Sequence, residues 1–246
     1  MTEQLLEIRD LDVRYGLLQV LFGVNIDVAV GERVALLGTN GAGKSTCLRA
    51  VSGLVRASSG SIIFKGVDVT RTGVRERLAL GMVHVAGGRA TFPSLTVLEN
   101  LRLGAYPFIR ERHLVATRLD GVLALFPQLR ERLKQPAGSL SGGEQQMMAL
   151  GRALVAGPEL LMIDELSLGL APIVMAELVR VIDDLVGHGV TLLLVEQSIN
   201  VAVRLAQTAY FLERGAVRFS GPTAELLERS DLARAVFFGA VAEPAI

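Results

Sequence analysis

The sequence predicts an α/β protein with a mainly parallel sheet, on the basis of three observations. Short runs of almost uninterrupted apolar residues, typical of strands buried on both faces, lie at residues 33–37, 160–163 and 191–195. A glycine-rich loop, residues 38–46, follows the first run directly. Two acidic residues, Asp164 and Glu165, follow the second run. Because ligands bind at the carboxyl ends of parallel strands, the same observations predict where a functional site lies.

Alternating residues predict antiparallel strands at the two ends of the chain. Residues 6–13 and 24–28 fit half-buried strands, and in the second of these apolar and polar residues alternate. Residues 209–212 and 216–220, joined through Arg214-Gly215, predict a hairpin. We therefore expect an N-terminal antiparallel β subdomain beside the parallel sheet.

The middle of the chain predicts helices instead. Helical patterns occupy residues 96–106 and 110–126 and the segments after the glycine-rich loop, Gly142, Pro172 and Ser198. Residues 92–134 contain no strong strand pattern, which indicates a mainly helical insertion. We expect a single domain over residues 1–246, with a core at about 1–91 and 157–246 and a helical subdomain at about 92–156.

Composition excludes several classes of protein. The chain carries 25 Lys and Arg against 25 Asp and Glu, so it has no electrostatic footprint for nucleic acid. Apolar residues make up 50%, yet no run approaches the ~20 residues that a membrane-spanning helix needs. No signal peptide is recognisable at the N-terminus. The one cysteine, Cys47, excludes an internal disulfide and fits a reducing cytoplasm, and we expect it to be buried and inert.

Residues 38–46 form the strongest motif, G-x-x-x-x-G-K-S/T, in the expected place between a strand and a helix. Its glycines allow a tight turn, so that backbone N–H groups and a helix N-terminus point at phosphate oxygens. Lys44 supplies positive charge to the β- and γ-phosphates, and the Ser45 hydroxyl is placed to bind Mg²⁺. The motif predicts an NTPase loop whose nucleotide contacts are Gly38, Asn40, Gly41, Ala42, Gly43, Lys44, Ser45 and Thr46.

Asp164 and Glu165 form the second candidate site. An apolar strand that ends in two carboxylates presents both at the sheet edge where the phosphates are predicted to bind. Asp164 can hold the Mg²⁺ that bridges the β- and γ-phosphates. Glu165 can then orient or deprotonate the attacking water. With the glycine-rich loop, this pair predicts nucleotide hydrolysis.

A third motif, Leu-Ser-Gly-Gly-Glu-Gln-Gln at residues 140–146, resembles the signature sequence of ATP-binding-cassette (ABC) ATPases. A serine hydroxyl and two glycine amides at a helix N-terminus form a second anion site. The resemblance implies that Ser141, Gly142 and Gly143 do not contact the chain's own nucleotide. They would close over ATP bound to a second ABC subunit, in a head-to-tail dimer with two ATP molecules at the interface.

Other segments extend the resemblance over nearly the whole chain. Tyr15 matches the aromatic residue that stacks on adenine in this family. Ser-Leu-Gly-Leu-Ala-Pro at 167–172 and Leu-Val-Glu-Gln at 194–197 resemble the LivF-type ATP-binding subunits of branched-chain amino-acid uptake transporters. This resemblance implies a P-loop NTPase fold of the ABC ATPase type, with ATP and Mg²⁺ as cofactors.

The resemblance also implies partners and a location. We expect a second ABC ATPase subunit, in a heterodimer or a homodimer, and integral-membrane permease subunits whose cytoplasmic helices dock near residues 87–110. An extracytoplasmic substrate-binding protein would act indirectly, and no nucleic acid is expected. The chain would lie at the cytoplasmic face of the cell membrane and power uptake of branched-chain or other hydrophobic amino acids.

Several alternatives stay open at this point. Related subunits serve urea or amide uptake, and similar cassettes serve lipid or lipopolysaccharide export, although Ala171 and Gln197 argue against export. A non-transport ABC ATPase acting on DNA or ribosomes usually carries a long coiled-coil insertion or two cassettes, and this chain has neither. A GTPase is excluded because the chain lacks an Asn-Lys-x-Asp guanine motif.

Four positions depart from the family pattern. Gly87 stands where most ABC proteins carry Gln, Leu166 where Pro follows the catalytic Glu, and Ala171 where Asp is usual. Gln197 replaces a catalytic His, and it can donate a hydrogen bond to a γ-phosphate but cannot become cationic. We therefore expect secure nucleotide binding but slower hydrolysis at this chain's own site.

Overall fold

Two β-sheets frame the molecule in a computed structural model that describes residues 3–87, 91–167 and 170–228. The first sheet is antiparallel and has the strand order β2-β1-β4-β5. Its strands are β1 (Gln4–Tyr15), β2 (Leu18–Ala29), β4 (Ala57–Phe64) and β5 (Val67–Asp68). Apolar residues of β1 and β2 alternate into the core, as an antiparallel sheet with one solvated face requires. The predicted N-terminal antiparallel strands are confirmed, and both are longer than predicted.

The second sheet has the order β10-β9-β3-β8-β7-β6 and is parallel except for the β9–β10 hairpin. Its strands are β3 (Arg33–Gly38), β6 (Met82–Val85), β7 (Leu160–Asp164), β8 (Thr191–Val195), β9 (Thr208–Glu213) and β10 (Ala216–Pro222). Every residue of β7 and β8 is buried, because both faces of the sheet are covered. The predicted parallel strands and the late hairpin are confirmed.

Nine α-helices lie within the described residues. They are α1 (Lys44–Val51), α2 (Val74–Ala79), α3 (Val97–Leu103), α4 (Arg112–Leu125), α5 (Pro127–Arg130), α6 (Gly142–Val155), α7 (Pro172–Gly187), α8 (Ile199–Leu205) and α9 (Glu225–Glu228). Short 3₁₀ helices occupy Tyr106–Phe108 and Ala137–Ser139. Among the helices of these ranges, none combines the length and apolar character that crossing a bilayer requires.

The helix predicted over residues 96–106 is shorter in the structure, and α3 ends at Leu103. Pro107 accounts for the early end, because it has no N–H to donate to the carbonyl oxygen of Leu103 four residues earlier, and its ring would clash with that oxygen in a continuous α-helix. At Gly104, an added Cβ would lie 2.0 Å from the carbonyl oxygen of Arg152, so the end of α3 approaches α6 closely.

Two large apolar clusters hold the elements together. One lies between the two sheets and α1, and includes Leu6, Ile8, Leu36 and Leu48. The other joins the opposite face of the parallel sheet to helices α3–α7, and includes Leu101, Leu150, Ile163 and Leu194. The helical segment therefore packs directly on the sheet that carries the predicted site.

Candidate functional site

The glycine-rich loop connects β3 to α1 at the carboxyl edge of the parallel sheet. Gly38 and Gly43 have φ values of 149° and 103°, in the region that favours glycine. An added Cβ would lie 2.1 Å from the Leu212 carbonyl oxygen at Gly38, and 2.6 Å from Leu21 Cδ2 at Gly43. Conformation thus favours glycine at both positions, and at Gly38 the Leu212 carbonyl group also leaves no space for a side chain. The loop curves around a cavity of about 170 Å³, lined by Val20, residues 40–46 and Glu165.

Lys44 is buried within its own loop. Its Nζ donates hydrogen bonds to the carbonyl oxygens of Gly38 (2.8 Å) and Thr39 (2.9 Å). Burial lowers the pKa of the ammonium group, and the nearby carboxylates of Glu165 and Asp164 oppose that shift. An ammonium group has three donors, so one remains for a ligand in the cavity.

Asp164, the last residue of β7, is 6% exposed, and its Oδ1 is buried without a hydrogen-bond partner. Burial raises the pKa of its carboxyl group, and a hydrogen bond from Ser45 opposes that rise. A buried, unpaired carboxylate oxygen beside a serine hydroxyl fits a Mg²⁺ ion held by one carboxylate and by phosphates. The described residues contain no cluster of three or more His, Cys, Asp or Glu that could bind a metal alone.

Glu165 lies directly after β7 with a left-handed backbone, at a φ of 55°. Its backbone N–H donates to the carbonyl oxygen of Val195 at 2.9 Å. Gln197 Nε2 donates to Glu165 Oε1. The structure thus brings together the two residues predicted to be catalytic, from the ends of adjacent strands β7 and β8.

The other departures from the family pattern have visible structural settings. A Cβ at Gly87 would lie 3.2 Å from the Asp164 carbonyl oxygen, so the end of β6 runs close beside the carboxylate pair. Leu166 is 1% exposed and packs in the apolar cluster under the helices. Ala171 is the N-cap of α7 and provides no side-chain hydrogen bond there.

The signature segment stands apart from this cavity. Ser141 is the N-cap of α6, and its Oγ accepts a hydrogen bond from the Glu144 backbone N–H at 3.3 Å. The Glu144 carboxylate accepts bonds from the N–H and the hydroxyl of Ser141, both at 2.8 Å. Ser141 and Gly142 are exposed, and Gly143 is half-buried. None of these three residues lines the cavity of the glycine-rich loop.

Tyr15 also lies outside the lining of that cavity. It is the last residue of β1 and is 43% exposed, next to the exposed Leu17 and Leu18. Sequence reasoning missed Glu196, a buried acid beside Gln197. An acidic residue at the end of the apolar run 191–195 was the available signal. Val20, from β2, lines the cavity as well, and no sequence signal marked it.

A phosphate loop between a parallel strand and a helix, with a carboxylate pair on a nearby strand of the sheet, defines a P-loop NTPase. Residues 21–167 match the model of the family described as ABC transporter, so the chain belongs to that family and is one of its ATP-binding ATPase subunits. The family resemblance and the fold class predicted from the sequence are confirmed.

Two relatives are similar over most of both chains. The high-affinity branched-chain amino acid transport ATP-binding protein BraG of Pseudomonas aeruginosa is 45% identical over 213 residues, which is 87% of this chain and 91% of BraG. The probable branched-chain amino acid transport ATP-binding protein LivF of Archaeoglobus fulgidus is 38% identical, over 89% of this chain and 92% of LivF.

A solved structure supports the same fold. The ADP conformation of an ATP-binding cassette of an ABC transporter superposes with a TM-score of 0.85, over 97% of this chain and 100% of that one. Its sequence identity is 23%, so the likeness concerns the fold alone.

Proposed function

We propose that this chain is the ATP-hydrolysing subunit of an importer for branched-chain or other hydrophobic amino acids. The similarity to two proteins named as branched-chain amino acid transport ATP-binding proteins supports the cargo. The observation that carries the hydrolytic role is the unpaired Asp164 oxygen beside the phosphate loop, next to a Glu165 that Gln197 orients. The subunit acts at the cytoplasmic face of the membrane.

ATP binding uses the loop and its surroundings. The backbone N–H groups of residues 40–46 and the Lys44 ammonium hold the β- and γ-phosphates, while Tyr15 stacks on adenine. Ser45 and Asp164 would hold Mg²⁺, which would supply positive charge to neutralise the phosphates. Gly38, Gly41 and Gly43 keep the loop in the shape that points its amides inward.

Hydrolysis uses the two residues that meet beyond the loop. Glu165 accepts a proton from the water whose oxygen attacks the γ-phosphorus, and the bond to ADP breaks. Gln197 holds the Glu165 carboxylate through its amide N–H and so fixes the direction of proton transfer. Its second amide hydrogen remains for a γ-phosphate oxygen.

A second subunit completes the machinery in this proposal. The exposed N-terminus of α6, with Ser141, Gly142 and Gly143, faces the ATP of a companion ABC subunit, in a heterodimer or a homodimer. Permease subunits dock near residues 87–110, and an extracytoplasmic binding protein delivers cargo to them. We keep the division into a core of residues 1–91 and 157–246 and a helical subdomain of 92–156.

Reconstitution tests this function. The chain is co-expressed with permease and companion ATPase subunits of the branched-chain amino-acid transporter type, and the complex is placed in liposomes with the binding protein. We expect uptake of labelled leucine that depends on ATP and Mg²⁺ and stops with Lys44→Ala. Uptake of urea or acetamide with no leucine uptake would reject the cargo but keep the ATPase. Full leucine uptake by Lys44→Ala would reject the energising role.

A further inference from the structure

Glu196 is a buried acid with no assigned role in the scheme above. It follows β8, and only 1% of the residue is exposed. Its two carboxylate oxygens accept hydrogen bonds from one residue, Ser167, at 3.2 Å from the backbone N–H and 2.6 Å from the hydroxyl. Ser167 lies two positions after Glu165, on the loop that follows β7.

A carboxylate in this position is unfavourable for packing alone. Among the described residues, no lysine, arginine or histidine forms an ion pair with Glu196. Burial raises the pKa of its carboxyl group, and the Ser167 hydrogen bonds oppose that rise. An apolar side chain of similar volume would fill the space without the cost of removing a carboxyl group from water. The contacts with Ser167 are therefore what this side chain adds.

The hydrogen bonds between Glu196 and Ser167 are one of two side-chain contacts that join the loop after β7 to the loop after β8; these two contacts are called the clamp below. Residues 196 and 197 are adjacent, and they bind residues 167 and 165 respectively. The backbone of the same segment also accepts the Glu165 N–H through Val195. Glu165, one of the two residues held in this way, has a left-handed backbone, a conformation that persists only where its surroundings impose it.

We propose that Glu196 is a positioning residue that fixes the loop of residues 165–167, so that the Glu165 carboxylate stays aligned with Gln197. This inference rests on the proposed role of Glu165 as the base. Glu196 does not line the cavity of the glycine-rich loop, whereas Glu165 does, so Glu196 acts on Glu165 through Ser167. The chemistry should depend on the two hydrogen bonds and not on the negative charge.

Glu196→Gln and Glu196→Ala separate these possibilities. The glutamine oxygen can accept from the Ser167 N–H, and its NH₂ can donate to the Ser167 hydroxyl, so both contacts persist without charge. Alanine removes both. Turnover is measured in the complex with the companion subunit and in a Ser141→Arg background, so that only the site built on Lys44 and Glu165 reacts.

We expect Glu196→Ala to lower kcat by roughly 10- to 100-fold, since a small displacement of a catalytic group has effects of that order. KM for ATP should stay within about threefold, and Glu196→Gln should retain kcat within about threefold of the parent. In a Glu165→Gln background, Glu196→Ala should cause no further loss, because the group through which it acts is already gone.

Three outcomes would overturn the inference. They are an unchanged kcat in Glu196→Ala, an equal loss in the alanine and glutamine variants, or an effect confined to KM. If Glu196→Ala does not fold, Ser167→Ala replaces it, with an expected kcat loss of about threefold to tenfold and an unchanged KM; no loss there rejects the clamp. If Glu165→Gln keeps the turnover of its Ser141→Arg parent, the proposed base is wrong, which is a separate failure.

Discussion

Helices α1 and α6 both begin at a predicted anion site, yet their N-termini are built differently. The N-cap residue of α1 is Gly43, which supplies no side-chain cap, and the first turn of α1 contains no acidic residue. The N-cap residue of α6 is Ser141, which forms a complete capping box with Glu144. The backbone N–H groups at the N-terminus of α1 therefore remain available to a ligand. At the N-terminus of α6, the side chains of Ser141 and Glu144 already accept hydrogen bonds from some of these N–H groups.

Because of this difference, the two helix N-termini need different groups in order to bind a phosphate. Around α1, the chain itself supplies the buried Lys44, the unpaired Asp164 oxygen and a cavity. At α6, the exposed cap is stable without a ligand, and such a cap contributes about 1 kcal/mol to helix stability. A phosphate that reaches Ser141 must therefore displace the Glu144 carboxylate from the serine hydroxyl. We infer that the N-terminus of α1 can bind nucleotide within a single chain. The N-terminus of α6 would contact a nucleotide only when that nucleotide is already bound to a partner subunit.

Removing the Lys44 side chain should have the largest effect, which is on ATP binding. Lys44 belongs to the site at the N-terminus of α1, whose binding groups all come from one chain. We expect Lys44→Ala to weaken MgATP binding by roughly 100-fold, since the phosphates lose a charge-assisted hydrogen bond in a partly buried cavity. Titration calorimetry with Mg²⁺ measures the affinity. Lys65→Ala is the matched control, because Lys65 makes only a surface ion pair with Glu159. Equal affinities in the two variants would reject the loop as the binding site.

Substitutions that disable one composite ATP site at a time test how much of the ATP turnover each site contributes. In the complex with the companion subunit, Ser141→Arg should lower ATP turnover about tenfold or more, because it blocks the partner's ATP. Glu165→Gln should lower it less than about twofold, because Gly87, Ala171 and Gln197 lack the usual family groups at this chain's own site. That site should then retain ATP, and size exclusion with ATP should detect an accumulated dimer.

Ser58→Arg, at an exposed position of β4, is the control for added bulk and charge. Equal losses in Ser141→Arg and Glu165→Gln, or the reverse order, would mean that other groups compensate for the departures at Gly87, Ala171 and Gln197. The two composite sites would then be equivalent.

An effect on stability rather than on activity is expected at the opposite end of α1. His84 Nδ1 lies 3.2 Å from the hydroxyl of Ser52, the C-cap residue of α1, and burial lowers the pKa of His84 to about 4. Because the unfolded chain binds a proton near its ordinary pKa of about 6.5, stability should fall as pH drops from 6.5 to 4. This residue should contribute up to about 3 kcal/mol to that loss.

Urea unfolding at several pH values measures the contribution of His84. His84→Asn should flatten the acid side of the stability profile. Parallel profiles for the native chain and His84→Asn would contradict the lowered pKa.

The smallest effect concerns Cys47, in the first turn of α1. A helix N-terminus favours a thiolate, but complete burial dominates here and raises the pKa of the thiol to about 12. We expect no measurable reaction of the native protein with a disulfide reagent at pH 8, and one thiol per chain after unfolding in urea. Rapid labelling of the native protein would indicate that the phosphate-loop helix opens readily.

Most of the parallel sheet and the phosphate loop could be predicted, because their signals are local. Runs of apolar residues indicate strands buried on both faces, and the loop needs its glycines wherever it occurs. Strand β4 could not be predicted, since it begins Ala-Ser-Ser-Gly-Ser and is extended through its pairing with β1. Strand β6 was missed for a related reason, because its four residues pair with β7, which lies far along the chain.

The sequence by itself determined the fold class and the candidate residues for phosphate binding and for acid–base chemistry, because each motif is a short segment whose chemistry depends on its own residues. Only the tertiary structure decided that Gln197 bonds Glu165, that Ser167 bonds Glu196, and that Asp164 keeps an unpaired oxygen. Those contacts join the ends of β7 and β8, which are adjacent in the sheet but separated along the chain by α7. No local pattern records such a contact, because it is created when parallel strands align their carboxyl ends at one edge.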